Sequence, residues 1–199
     1  MAKAIFSEVY NRGSAPQSFI DALVNWGRTA EEEIFAPNPN QDIYSSIRST
    51  LGPWQPGNHR RAVMLEVMRV LAGFESSWKW EAGVDTSNPY SQTPLTAEAG
   101  AWQVSADSLN FGSELRELVK RRAGSLDPLV FQQAMKKDHL LAMEYIARLL
   151  RRTTQHNGPV KRHEIDKWLR PAAVAEFQAL LTPRAVAHTG APPDCRVPS

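Results

Sequence analysis

The sequence predicts a mainly α-helical protein with little or no β structure, on three observations. Apolar residues recur at helical spacing through most of the chain. Glycine and proline pairs cut that pattern into segments of ordinary helix length. No stretch keeps the two-residue alternation of a strand for long enough to build a sheet. With 199 residues, 42% hydrophobic and 22% charged, the chain is long enough for one ordinary domain with a sizeable core.

Over residues 16–35, Phe19, Ile20, Leu23, Val24 and Trp26 lie mostly on one helical face. Thr29 and Glu32 have the spacing of a capping box, so the segment is expected to break and restart there. Pro37 and Pro39 end it. Ile43, Ile47 and Leu51, four apart, predict a short helix over 41–51. Gly52-Pro53 and Pro56-Gly57 then bound a turn that carries Trp54. The clearest helix runs from His59 to about Trp78. Its apolar residues Val63, Met64, Val67, Met68, Val70, Leu71 and Phe74 form a wide stripe, as expected of a helix buried against much of a core.

Residues 79–99 are rich in Ser, Thr, Asn, Pro and Gly and read as a long loop, a kind of segment that is often functional inside a compact domain. Helices are expected over 106–123, with Leu109, Leu115, Leu118 and Val119 inward, and over 128–153 in one or two pieces. His156-Asn157-Gly158-Pro159 is a strong turn. A helix over 162–169 follows, then another after Pro171, a residue suited to a first helical position. The tail, 183–199, is proline-rich and poor in apolar residues, and is expected to be disordered.

Bulk properties exclude several functions. A net charge of +2 makes too weak a field for a nucleic-acid partner, although mild basicity suits an anionic polymer. The single cysteine, Cys195, allows no internal disulfide and no cysteine-rich zinc site. His139, His156 and His163 lack paired metal-ligand spacing, so no metal and no cofactor is expected. Met1 to Gly13 does not read as a secretory signal. No apolar stretch approaches the roughly 20 residues of a membrane span. The chain is therefore expected to be made in the cytoplasm as a soluble protein.

Glu75 is the first candidate for chemistry. It follows Phe74 at the edge of the buried stripe, in the last turn of its helix. Burial and the negative end of the helix dipole both disfavour its charged form. A carboxyl kept protonated in this way can give a proton to the leaving oxygen of a glycosidic bond. Taken alone, a glutamate in a last helical turn is more often solvated.

The order of segments adds weight. An apolar helix ends in Glu75-Ser76-Ser77, a long polar loop follows, and then comes Gly100-Ala101-Trp102-Gln103-Val104-Ser105. This arrangement resembles the lytic transglycosylase and goose-type lysozyme superfamily. There a catalytic Glu-Ser pair closes a buried helix and a Gly-Leu-Met-Gln-like segment lines the saccharide groove. Gly100 and Gln103 keep the fixed positions, with Ala101 and Trp102 replacing Leu and Met. Arg148-Leu149-Leu150 and His156-Asn157-Gly158-Pro159 look like the helix leading to that superfamily's Tyr-Asn-Ala-Gly-Pro motif, without its Tyr and Ala. The resemblance covers roughly residues 60–170.

The resemblance implies a lysozyme-like catalytic domain over 59–182, with residues 1–58 as a helical extension packed on it. It implies a muramidase acting on the β-1,4-linked glycan strands of peptidoglycan, with Glu75 as acid and Ser76, Gly100, Trp102, Gln103 and Asn157 at the groove. Gln103 suits an N-acetyl group or a hydroxyl, and Trp102 offers a flat face for a sugar ring. Core packing is the other reading of Trp102, a surface amide that of Gln103, and a turn former that of Asn157. Asp85, in the polar loop, is the first choice for a second carboxylate, with Glu98 and Asp107 as alternatives. If none serves, the substrate's own acetamido group or 6-hydroxyl attacks and an anhydro-sugar results, the lytic transglycosylase outcome. A wall-cutting domain without an export signal also resembles type VI secretion effectors, antibacterial toxins placed in a rival's periplasm and blocked by a periplasmic immunity protein. Phage endolysins are the competing explanation, and a non-catalytic glycan- or protein-binding module is a further one.

Overall fold

A computed structural model of the chain describes residues 3–38, 41–84, 89 and 91–182. The tail expected over 183–199 lies outside the described residues. The described chain is mainly helical: α1 Gln17–Thr29, α2 Ile43–Ser46, α3 Arg48–Leu51, α4 Asn58–Ser76, α5 Ser113–Ala123, α6 Pro128–Lys137, α7 His139–Arg152, α8 Gly158–Lys161 and α9 Pro171–Leu181, with 3-10 turns between them. Its β content, among these residues, is one isolated bridge between Ala99 and Val104.

The centre of the fold is α4. Thirteen of its nineteen residues are buried, so it is sheathed on nearly every side, with α9, α1 and α7 against it. Among the buried thirteen are three charged residues the apolar stripe did not suggest, Arg60, Glu66 and Arg69, the last two fully buried. Arg69 Nε and Nη2 donate to the two oxygens of Glu66 at 2.7 and 2.8 Å. Arg69 also donates to Ser7 O at 3.0 Å, and Glu66 accepts from the backbone N of Arg170 at 3.0 Å. A charge pair without water survives when its remaining hydrogen-bonding capacity is met; here it joins α4 to the N-terminal segment and to the start of α9.

Residues before 58 share one hydrophobic cluster with the rest of the chain: Ile5, Val9, Phe19, Leu23, Phe35 and Ile43 are fully buried in it. The N-terminal turn is held by Glu176 on α9, whose carboxylate accepts from the backbone N of Ala4 and Ile5 at 2.8 and 3.1 Å.

Several boundaries differ from the sequence reading. The 16–35 segment does break after Thr29, but Thr29 Oγ1 bonds back to Asn25 O instead of capping a new helix. Residues 41–51 form two one-turn helices under an Asp42 cap, with Ser45 N donating to Asp42 at 2.8 Å. Gly112 divides the 106–123 segment, and Asp138, which accepts from Leu141 N at 2.9 Å, divides 128–153. The helix expected over 162–169 does not form. Pro159 starts a single turn at Gly158 instead, His163 takes a left-handed φ of 56°, and only a 3-10 turn follows at Asp166–Trp168. A proline near a helix start fixes the register earlier than the apolar pattern alone implied.

Candidate active site

Glu75 stands at the end of α4 because the helix is made to stop one residue later. Ser77 and Trp78 both turn left-handed, φ 56° and 60°. Trp78 N bonds to Ala72 O and Ser77 N to Gly73 O, nested bonds that satisfy carbonyls of the last turn. The Trp78 ring folds back onto the helix and donates Nε1 to Arg69 O at 2.9 Å. Its place exists because residue 73 has no side chain: a Cβ there would lie 2.7 Å from Trp78 Cζ2.

The Gly100–Gln103 turn is brought against this helix end by Ser76. Ser76 Oγ donates to Ala101 O at 2.8 Å and accepts from Lys79 N at 3.1 Å. Paired bonds between Ala99 and Val104 close the turn. Gly100 has φ 75°, and a Cβ there would meet Met135 O at 2.7 Å, so both backbone shape and space require glycine. Gln103 follows with φ 44°, uncommon for a residue with a side chain. Its Nε2 donates to Gly100 O at 3.0 Å.

A cleft of about 280 Å³ opens beside Glu75, lined by Glu75, Glu98, Gln103, Ser105, His156 and Asn157, with Gly158, Pro159 and Arg162 at one side. A second depression of about 360 Å³ shares Glu75 and Gln103 with the cleft and is otherwise lined by Arg12, Ser76, Ser77, Lys79, Ala82 and Gly83. The two depressions adjoin at these shared residues.

Burial and, after it, the negative charge of Glu98 raise the Glu75 pKa to about 8; a hydrogen bond from Asn157 and the charge of Arg162 oppose, and Glu164 adds a smaller upward push. By surface area the residue is only half-buried. The carboxyl itself is crowded by protein, and that crowding governs its proton affinity. At neutral pH it is therefore mostly a neutral acid. His156 is the reverse case: burial lowers its pKa to about 4, against the opposing charge of Asp107. It stands in the cleft as a neutral imidazole, edge-on to Phe111 with ring centres 5.8 Å apart.

The candidate residues divide as follows. Glu75, Gln103 and Asn157 come together at the cleft, and Glu98 joins them. Asn157 is buried, bonds to Glu75, and places Nδ2 3.4 Å from Trp102 O. Ser76 and Gly100 shape the site from behind through the bonds described above. Trp102 does not reach the groove. It is buried, donates Nε1 to Met68 O at 2.9 Å, and packs between Phe19 and Trp80. An indole flanked by apolar partners gains more from the core than a sugar face would return. Asp85 lies outside the described residues. Asp107 is exposed, accepts from Asn110 and does not line the cleft.

His156, Ser105 and Arg162 line the cleft without having been singled out for it. His156 had a signal, its position beside Asn157; Arg162 had one only in its spacing of four from Gly158 across the short helix. Among the described residues no group of three or more His, Cys, Asp and Glu side chains gathers as for a metal ion, and no helix is long and apolar enough to cross a membrane. Compared with protein-family models, with curated proteins and with solved structures, the chain matches none.

Proposed function

We propose that this protein is a glycoside hydrolase of the lysozyme type, a muramidase that cuts the glycan strands of peptidoglycan, with Glu75 as general acid. The observation that carries the reading is a desolvated, proton-holding carboxyl that lines a polar cleft. Glycosidic cleavage needs such a group, because the departing sugar oxygen is a poor leaving group until it receives a proton. Gln103 and Asn157 supply amide donors and acceptors suited to hydroxyl and acetamido groups.

In this reading a sugar chain lies along the groove with the scissile oxygen at Glu75. The acid gives its proton to that oxygen as the C1–O bond breaks. Glu98, facing the same cleft, takes a proton from a water whose oxygen bonds to C1. A carboxylate pair of this kind separates two roles through environment: the more desolvated member stays protonated, and its neighbour carries the charge that helps keep it so. The test is digestion of purified peptidoglycan followed by mass spectrometry of the fragments. Reducing-end products from the wild type, absent with a folded Glu75→Gln variant, are expected. Anhydro-sugar ends would replace water with the substrate's own nucleophile. Full activity of Glu75→Gln would remove Glu75 from the mechanism.

A further inference from the structure

The two depressions that share Glu75 and Gln103 carry unlike charge. The cleft holds Glu75 and Glu98, and its one guanidinium, Arg162, is paired with Glu164 at 2.9 Å. The second depression is lined by two cations, Arg12 and Lys79, and among its described lining residues the only carboxyl is the neutral Glu75. Some exposed cations of this protein have carboxylate partners, as in Lys137 with Glu81 and Arg122 with Asp138. Arg12 and Lys79 make no ion pair among the described residues.

Both cations are delivered by specific structure. Lys79 follows the left-handed close of α4, its backbone N fixed on Ser76 Oγ. Arg12 comes from the far N-terminal segment, where Val9 N bonds to Gly13 O and Arg12 N to Val9 O at 3.0 and 3.1 Å. Within that turn Tyr10 adopts φ 53° and stacks on Phe74, the neighbour of Glu75, with ring centres 5.3 Å apart. The strained tyrosine pins the turn beside the candidate acid, and Arg12 comes with it.

We propose that this second depression, adjoining the cleft at Glu75, is a subsite for a carboxylate carried on the sugar polymer next to the scissile bond, held between Arg12 and Lys79. The inference rests on the glycosidase reading and adds a preference: anionic amino-sugar polymer over neutral polymer of the same backbone. A guanidinium and an ammonium converging on one pocket suit a carboxylate through charge-assisted hydrogen bonds. On peptidoglycan the carboxylate can sit on the lactyl group of the sugar or on the attached peptide.

The test compares three ligands: intact peptidoglycan, glycan strands stripped of peptide so that the lactyl carboxylate is free, and neutral chitooligosaccharides. Turnover is measured with the wild type and with Arg12→Gln/Lys79→Gln, and binding with Glu75→Gln carrying or lacking the same pair of changes. Both positions are exposed and make no ion pair among the described residues, and a thermal melt confirms the fold of each variant. The wild type should favour carboxylate-bearing strands over the neutral oligomer by about tenfold in KM, and the double variant should lose that preference, at two exposed charge contacts of modest strength each. The preference should also shrink as salt is raised. Preference for stripped strands assigns the lactyl carboxylate; preference for intact peptidoglycan alone assigns the peptide. Equal KM for charged and neutral polymer, or a preference untouched by the double change, overturns the subsite and leaves the enzyme standing. If the wild type turns over none of the three, the glycosidase reading falls. The subsite is then judged by Glu75→Gln binding, and equal or absent affinity for all three overturns it too.

Discussion

Replacing Glu75 by glutamine should stabilise the folded protein near neutral pH, and the gain should vanish in acid. The carboxyl has an ordinary pKa of 4.5 when unfolded and about 8 when folded. Below 4.5 it is protonated in both states and costs nothing. Between 4.5 and 8 the unfolded chain releases the proton and the folded chain holds it, so wild-type stability falls as pH rises, by about 1.4 kcal/mol per pH unit. At pH 7 the full shift corresponds to about 3 kcal/mol. Water reaching the half-exposed side chain reduces this, and about 2–3 kcal/mol is expected. Glutamine keeps the shape and carries no proton to lose. Urea unfolding of both proteins at pH 5 and pH 7.5 measures the difference directly. Glu66, also raised by burial, is present in both proteins and cancels. Parallel stability curves across this range would refute the claim that the fold holds Glu75 as a neutral acid.

Other outcomes follow from the same geometry. Glu98→Gln removes a charge that raises the Glu75 pKa, so the alkaline limb of the activity profile should move to lower pH, with kcat down about 100-fold or more if Glu98 is the base. Asn157→Leu removes a hydrogen bond that lowers the same pKa, and should move that limb the opposite way; pH–rate profiles read both. Ser76→Ala frees Ala101 O from its 2.8 Å bond and should cost about 1–3 kcal/mol by chemical denaturation. Gly73→Ala sets a methyl 2.7 Å from the Trp78 ring and 3.0 Å from Val9; a loss of about 1–3 kcal/mol is expected, with altered tryptophan fluorescence. Arg69→Met leaves Glu66 buried without its partner and should cost about 3–5 kcal/mol in thermal melts.

The helical character, the long central helix and the place of Glu75 on it were legible because each rests on local pattern: apolar spacing, then a polar residue where the stripe ends. The meeting of Glu75 with Gln103 and Asn157 was legible only through the resemblance of segment order, since nothing local joins residues so far apart. Trp102 went into the core because Phe19 and Trp80, both remote in sequence, surround it. Its tryptophan character suited either place, and only the packing decides. The Glu66–Arg69 pair stayed hidden because charges three apart on a helix ordinarily mark a wet face. Tertiary contacts with Ser7 and Arg170 made that face dry. The failed 162–169 helix turned on the left-handed His163, a backbone choice that apolar spacing does not report.

The sheathing of α4 has an evolutionary consequence. The Glu75 carboxyl rides on a rod gripped along its length, while the turn bearing Arg12 approaches it from outside. Exchanges in that outer turn can alter what lines the depression beside Glu75 while the carboxyl stays where it is. Under the proposed function, diversification would then be expected at the rim, with the rod unchanged.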